Sequence, residues 1–211
     1  MVDSGLVHII DDDESVRSGV GTLLRSAGIE VRLYGSASEF LAGELPTVCS
    51  CLLLDVRLPG VNGLDFQDSL QARGIYMPVI LMTGYGDIPM SVRGMKAGAL
   101  DFLTKPFRHQ DVLDAVSKAL ARDAERRKEE ARILAIRGRY ATLTPREQQV
   151  IALVTAGKMN KQIAGELELS EITVKIHRGN VMKKMAARTL ADLVKMTEAL
   201  SAAEKAQHER R

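Results

Sequence analysis

The chain has 211 residues, 45% hydrophobic and 27% charged, which excludes a disordered or fibrous class and fits a globular one. No apolar run reaches the length of about 18 residues that a membrane helix needs. The start, MVDSGLVHIIDDDE, lacks the basic and apolar segments of a secretory signal, so a cytoplasmic location is expected. Residues 1–121 carry ten Lys and Arg against fifteen Asp and Glu, a net of −5, whereas residues 122–211 carry nineteen against twelve, a net of +7. Such a split suggests two units with different partners, the basic one suited to nucleic acid.

The first half alternates between two periodicities. LVHII (6–10), apolar except at His8, has the pattern of a buried strand. Residues 14–27 set Val16, Val20, Leu23, Leu24 and Ala27 at helical spacing and stop at Gly28. EVRLY (30–34) alternates as a strand, 38–42 is a short helix, and CLLLD (51–55) is another buried strand. A helix over 64–73 stops at Gly74, PVILMT (78–83) is a strand, and a helix over 88–97 stops at Gly98. ALDFL (99–103) is the last strand, and residues 110–121 begin the last helix. Five strands alternating with five helices predict an α/β fold, a doubly wound five-stranded parallel sheet covered on both faces. Cys49 and Cys51, one residue apart, are poorly placed for a disulfide or a zinc site and read as reduced thiols.

Residues 122–140 are charged and helix-prone, a solvated helical linker with a break expected at Gly138; Ile133, Leu134 and Ile136 are able to dock on a domain. Residues 141–200 read as all helix. Thr144, Pro145 and Glu147 form a strong start signal for a helix to about Ala156. A short helix over 161–167 follows, Ser170 caps a third through about Met185, and a fourth begins near Leu190. Residues 201–211 are a polar tail expected to fray.

In a doubly wound sheet, ligands bind beyond the carboxyl ends of the strands. There the sequence sets Asp11 and Asp12 after the first strand, Asp55 at the end of the third, Thr83 at the end of the fourth and Lys105 after the fifth. Three converging carboxylates repel unless a hard cation such as Mg2+ (or Mn2+) joins them. An Asp carboxylate can accept a phosphoryl group as a nucleophile, with Lys105 and Thr83 holding the phosphoryl oxygens.

The motifs DDDE (11–14), LLLDVRLPGVNG (52–63), LMTGYGD (81–87) and DFLTKPF (101–107) resemble the receiver domain of bacterial two-component response regulators. The resemblance spans about residues 5–121 and implies a flavodoxin-like fold. It implies Asp55 as phosphoacceptor, with Mg2+ bound by Asp12, Asp55 and the main-chain carbonyl of Arg57, and by Asp11 mostly through water. Thr83 becomes the switch hydroxyl, Lys105 the phosphoryl partner ahead of a cis Pro106, and Phe102 the rotating aromatic switch. Pro59 and Gly63 shape the loop after Asp55. Arg57 and Tyr85, both large, are expected to shield the phosphoryl group from water. Dimerisation on phosphorylation is implied through Val92, Met95, Lys96, Asp101 and Phe102.

In the second half, NKQIAGELELSEITVKIHRGNVMKKM (160–185) has the spacing of a helix-turn-helix. Ile163, Ala164, Leu167, Leu169, Ile172, Val174, Val181 and Met185 are its expected buried side. The other face of the third helix offers Thr173, Lys175, His177, Arg178, Asn180, Lys183 and Lys184 to phosphates and base edges. Gly179 weakens that helix by about 1 kcal/mol. The segment from TPREQQ (144–149) onward is similar to LuxR-type DNA-binding domains, which implies that Lys161, Thr173, Lys175, His177, Arg178, Asn180 and Lys183 face DNA and that Glu147 is structural. The whole chain is most similar to the FixJ subfamily. The implied function is a phosphorylation-dependent transcription regulator whose partners are a sensor histidine kinase, promoter DNA and RNA polymerase. An aspartyl-phosphate phosphatase is the enzyme alternative, but its second Asp is replaced by Arg57. A helical domain that binds protein rather than DNA is the other.

Overall fold

The apolar runs become strands because both faces of the sheet are covered, so no position along them has to be polar. The computed structural model describes residues 5–44, 46–84 and 88–208. The strands are β1 (Leu6–Ile10), β2 (Glu30–Tyr34), β3 (Ser50–Asp55), β4 (Arg57–Leu58), β5 (Val61–Asn62), β6 (Val79–Thr83) and β7 (Asp101–Thr104). Five of them form the parallel sheet that the sequence predicts, in the order β2-β1-β3-β6-β7. β4 and β5 form a small antiparallel pair that the sequence reading does not contain.

Helices α1 (Glu14–Ser26), α2 (Ala37–Ala42), α3 (Gly63–Ala72), α4 (Ile88–Lys96) and α5 (His109–Ala141) connect and follow these strands. Asp13 caps α1 by accepting from the amides of Ser15 and Val16, satisfying donors that a helix start leaves unpaired. Alternate strand residues divide between two cores. Val7, Ile9, Leu53, Ile80 and Met82 pack with Val20 and Leu24 of α1 and Val112, Val116 and Leu120 of α5. Ile10, Leu52, Leu54 and Leu81 pack with Phe40, Leu64, Phe66 and Leu70.

The chain divides into two compact units, one ending at Arg127 and the other starting at Lys128. Residues 122–127, read from sequence as linker, therefore belong to the first unit. Asp123 is the reason: it is fully buried, accepts from the amide of Ser50 at 2.9 Å and pairs with Arg126 and Arg127 at 2.7 Å each. Arg127 also donates to the carbonyls of Pro46 and Thr47. Nor does Gly138 break the helix, since α5 runs through it to Ala141. Both cysteines are free, and burial raises both thiol pKa values, which keeps them protonated.

The second unit holds α6 (Pro145–Thr155), α7 (Asn160–Leu167), α8 (Glu171–Met185) and α9 (Leu190–His208). Ile136, Val150, Ile151, Val154, Ile163, Val174, Val181, Met185, Leu193 and Leu200 form its core. Thr144 and Glu147 make the expected reciprocal cap of α6. α9 continues to His208, so the tail read as frayed is helical over its first eight residues.

A buried histidine sits in the sheet. His8 is 1% exposed, stacks on Tyr34 and meets the edge of Phe40. Its Nδ1 lies 3.0 Å from the Tyr34 hydroxyl, while Nε2 has no partner. Burial, helped by the charge of Arg32, lowers its pKa to about 4. A histidine kept neutral by the fold binds its proton more readily when unfolded. Its contribution to stability is therefore complete above the ordinary value of 6.5 and is lost as pH falls from there toward about 4. Unfolding measured against pH should show the first unit losing roughly 3 kcal/mol over that range. His8→Phe should flatten that slope, and an unchanged slope contradicts the assignment.

Candidate functional site

Register brings the acids together. Ile10 lies level with Leu54, so Asp11 and Asp55 leave neighbouring strands at the same edge of the sheet. Thr83 lies level with Thr104, which sets Lys105 directly after. Carboxylate oxygens of Asp11, Asp12 and Asp55 all lie within 4.8 Å of one another. Asp11 and Asp55 are buried and Asp12 is exposed. Lys105 Nζ reaches Asp11 Oδ2 at 2.7 Å and Asp55 Oδ2 at 2.6 Å.

Local backbone fixes the carboxylates further. The amide of Asp13 donates to Asp11 Oδ1, and that of Arg57 to Asp55 Oδ1, each at 3.0 Å. Arg17 holds the Asp11 carbonyl at 2.5 Å. Gly63 begins α3 against the backbone of Asp55: a Cβ there would lie 2.3 Å from the Asp55 carbonyl oxygen. Pro59 and Gly60 turn the chain between β4 and β5, with Gly60 at φ +77°. The Lys105–Pro106 peptide is cis.

Burial raises the pKa of Asp11, the nearby charge of Asp55 adds to this, and Lys105 opposes it. For Lys105, burial disfavours the charge, but hydrogen bonds to Asp11 and Asp55 outweigh it and its pKa rises. The ammonium thus stays charged and is shared by two carboxylates. The donor set is hard oxygen, partly open to solvent through Asp12, which suits Mg2+ or Mn2+.

Thr83 is buried at the end of β6, with its carbonyl accepting from Lys105 N at 2.7 Å. Phe102 is 44% exposed on β7. Val92, Met95 and Lys96 are exposed on α4, and Asp101 meets Lys118 at 3.5 Å. Tyr85 lies outside the described residues.

In the second unit, Ser170 caps α8 through Thr173 N, and its hydroxyl meets that of Thr173 at 2.8 Å. Glu168 takes the left-handed conformation at the turn between α7 and α8. Lys161, Lys175, Asn180 and Lys183 are exposed. His177 is half-buried, with an unpartnered Nδ1, and Arg178 donates to Asn160 Oδ1 at 2.6 Å. The structure thus leaves Lys161, Lys175, Asn180 and Lys183 free to solvent, while Thr173 and Arg178 also brace the motif. Ile172 corrects the sequence reading: it is 74% exposed rather than buried. Val174, Val181 and Met185 define the inward stripe, and Ile172 stands opposite them. Ile176, also exposed, belongs to neither face of the helix that the sequence pattern distinguishes.

A buried carboxylate and a long cation at the surface of the second unit define a separate structural pair. Lys184 donates to Glu147 Oε2 at 2.6 Å and to the Thr142 carbonyl, and Glu147 is 3% exposed. The Lys184 hydrogen bond lowers the Glu147 pKa. Stability from the pair is present above the ordinary value of 4.5 and is lost as pH falls through the depressed one. Lys184→Met should therefore cost about 2 kcal/mol at neutral pH, the worth of a hydrogen bond to a charged group. The difference from the natural chain should vanish once acid protonates Glu147, as read by urea unfolding of the α6 signals. An equal difference at both pH values contradicts the pairing.

An acid cluster with a shared lysine on a 2-1-3-4-5 type sheet, and a separate helix-turn-helix unit, are the architecture of a receiver joined to a DNA-binding domain. Residues 7–117 match the response regulator receiver domain, and residues 141–197 match the bacterial regulatory proteins of the luxR family. The chain belongs to the response regulators with this pair of domains. Nodulation protein W of Bradyrhizobium diazoefficiens is 54% identical over 92% of this chain and 86% of its own. The transcriptional regulatory protein FixJ of Azorhizobium caulinodans is 44% identical over 93% of both chains. Among solved structures, the response regulator StyR superposes with a TM-score of 0.81, at 48% identity over 92% of this chain and 98% of its own. The protein is accordingly a transcriptional response regulator. No helix among the described residues is long and apolar enough to cross a membrane.

Proposed function

We propose that Asp55 accepts a phosphoryl group from a sensor histidine kinase and that this modification controls DNA binding by the second unit. The observation that carries the reading is the buried Asp55 carboxylate, 2.6 Å from Lys105 Nζ and grouped with Asp11 and Asp12. One Asp55 oxygen attacks phosphorus in line, an O–P bond forms, and the bond from phosphorus to the donor's leaving nitrogen or oxygen breaks. Lys105 stabilises the charge that gathers on the phosphoryl oxygens. Asp11, Asp12, Asp55 and the Arg57 carbonyl would hold Mg2+ or Mn2+, which neutralises the phosphoryl oxygens when bound. The chain turns over no external substrate in this reading; it promotes only its own phosphorylation and dephosphorylation.

Thr83, next to the modified site, turns its hydroxyl to the phosphoryl group, and the exposed Phe102 turns inward. That reshapes the surface carrying Val92, Met95, Lys96 and Asp101, which dimerises. Phosphorylation shifts this equilibrium only by its different energy in the two states. A dimer presents two copies of α8 to paired half-sites, which raises the effective concentration of each contact. Lys161, Lys175, Asn180 and Lys183 then face the duplex, with Thr173, His177 and Arg178 beside them. RNA polymerase is the further partner of the bound dimer, in the cytoplasm.

With Mg2+ and acetyl phosphate, the full chain should gain one acid-labile phosphoryl group by mass and bind promoter DNA more tightly. Asp55→Asn should lose both effects. Undiminished labelling of that variant contradicts the assignment.

A further inference from the structure

The outermost line of α8 is neither wholly basic nor wholly polar. Residues 172, 176, 179 and 183 recur at spacings of four, three and four and so share one stripe. It contains two isoleucines, 74% and 58% exposed, and neither belongs to the core of the unit. Single exposed apolar residues are ordinary, but a pair at the centre of a basic face is not. Lys175, Asn180 and Lys183 surround them, and α8 carries no acid after Glu171. Gly179 lies in the same stripe, where an added Cβ would meet nothing within 4 Å. Packing inside the protein therefore does not require this helix-weakening residue. Its bare backbone leaves room for a close approach from outside the protein.

We propose that Ile172 and Ile176 read thymine C5-methyl groups in the major groove, with Gly179 letting the helix approach closely. The inference rests on the DNA-binding reading and adds to it the source of base preference. The surrounding cations match the phosphates, and the groove floor offers the thymine methyl as its apolar feature. The basic residues give affinity common to all sequences, whereas the isoleucines favour thymine at the positions they cover.

The test uses duplexes enriched from a random-sequence library by the full chain treated with acetyl phosphate. Each thymine is replaced in turn by deoxyuridine, which lacks only the methyl group. At the positions read, the dissociation constant should rise about fourfold, the worth of one buried methyl group. Ile172→Ala and Ile176→Ala should weaken binding to thymine duplexes, and each should abolish the deoxyuridine penalty at its own position. Both side chains are exposed, so the melting temperature should not fall. Enriched duplexes indifferent to deoxyuridine, or variants that keep the whole penalty, overturn the proposal. Failure of the DNA-binding reading looks different: no duplex is enriched, and Lys175→Ala changes no affinity.

Discussion

Asp11, Asp12 and Asp55 meet because parallel pairing of β1 with β3 delivers their strands to one edge, with their oxygens within 4.8 Å. Carboxylates at such separations repel, and burial of Asp11 and Asp55 sharpens the repulsion. Lys105 is the compensation the chain carries within itself, shared between Asp11 and Asp55. The surrounding features follow from keeping this arrangement tight. Gly63 lets α3 start against the Asp55 carbonyl, Arg17 holds the backbone of Asp11, and the β4–β5 pair closes the loop after Asp55. A site so crowded with negative charge suits a second cation and, in the function proposed above, a phosphoryl group whose oxygens Lys105 meets.

The second unit solves a different electrostatic problem. Its polar side chains divide between those that hold the motif and those that remain available. Lys184 is committed to Glu147, and Arg178 reaches Asn160. Lys175, Asn180 and Lys183 stay exposed along α8 beside two isoleucines that the core does not use. Fixing some basic groups on the scaffold sets the orientation of the helix, and that orientation decides which side chains can reach a groove.

Most of the sheet was legible because a buried parallel strand is a nearly continuous apolar run, and LVHII, broken only by His8, CLLLD and VILMT are such runs. The apolar pattern sets the last strand two residues early. Ala99 is buried and apolar like strand residues, yet hydrogen-bonded pairing with β6 begins only at Asp101. The acid cluster was legible because strand ends in this fold point to one edge. Asp123 was not, since a charged run reads as solvated and nothing local shows that an amide of β3 and two arginines will enclose it. Gly138 was misread for the converse reason: its helix continues, although glycine weakens it. Apolar type alone puts Ile172 in the core, but the inward direction of α8 is set by Val174, Val181 and Met185.

The claim on which the rest depends is that Lys105 and a bound cation neutralise the same carboxylates. Titration of Mg2+ into the full chain and into Lys105→Met, followed calorimetrically, tests it most directly. Removing the ammonium should tighten Mg2+ binding, because a competing positive charge has left Asp11 and Asp55. Unchanged or weaker binding in the variant would contradict a shared site.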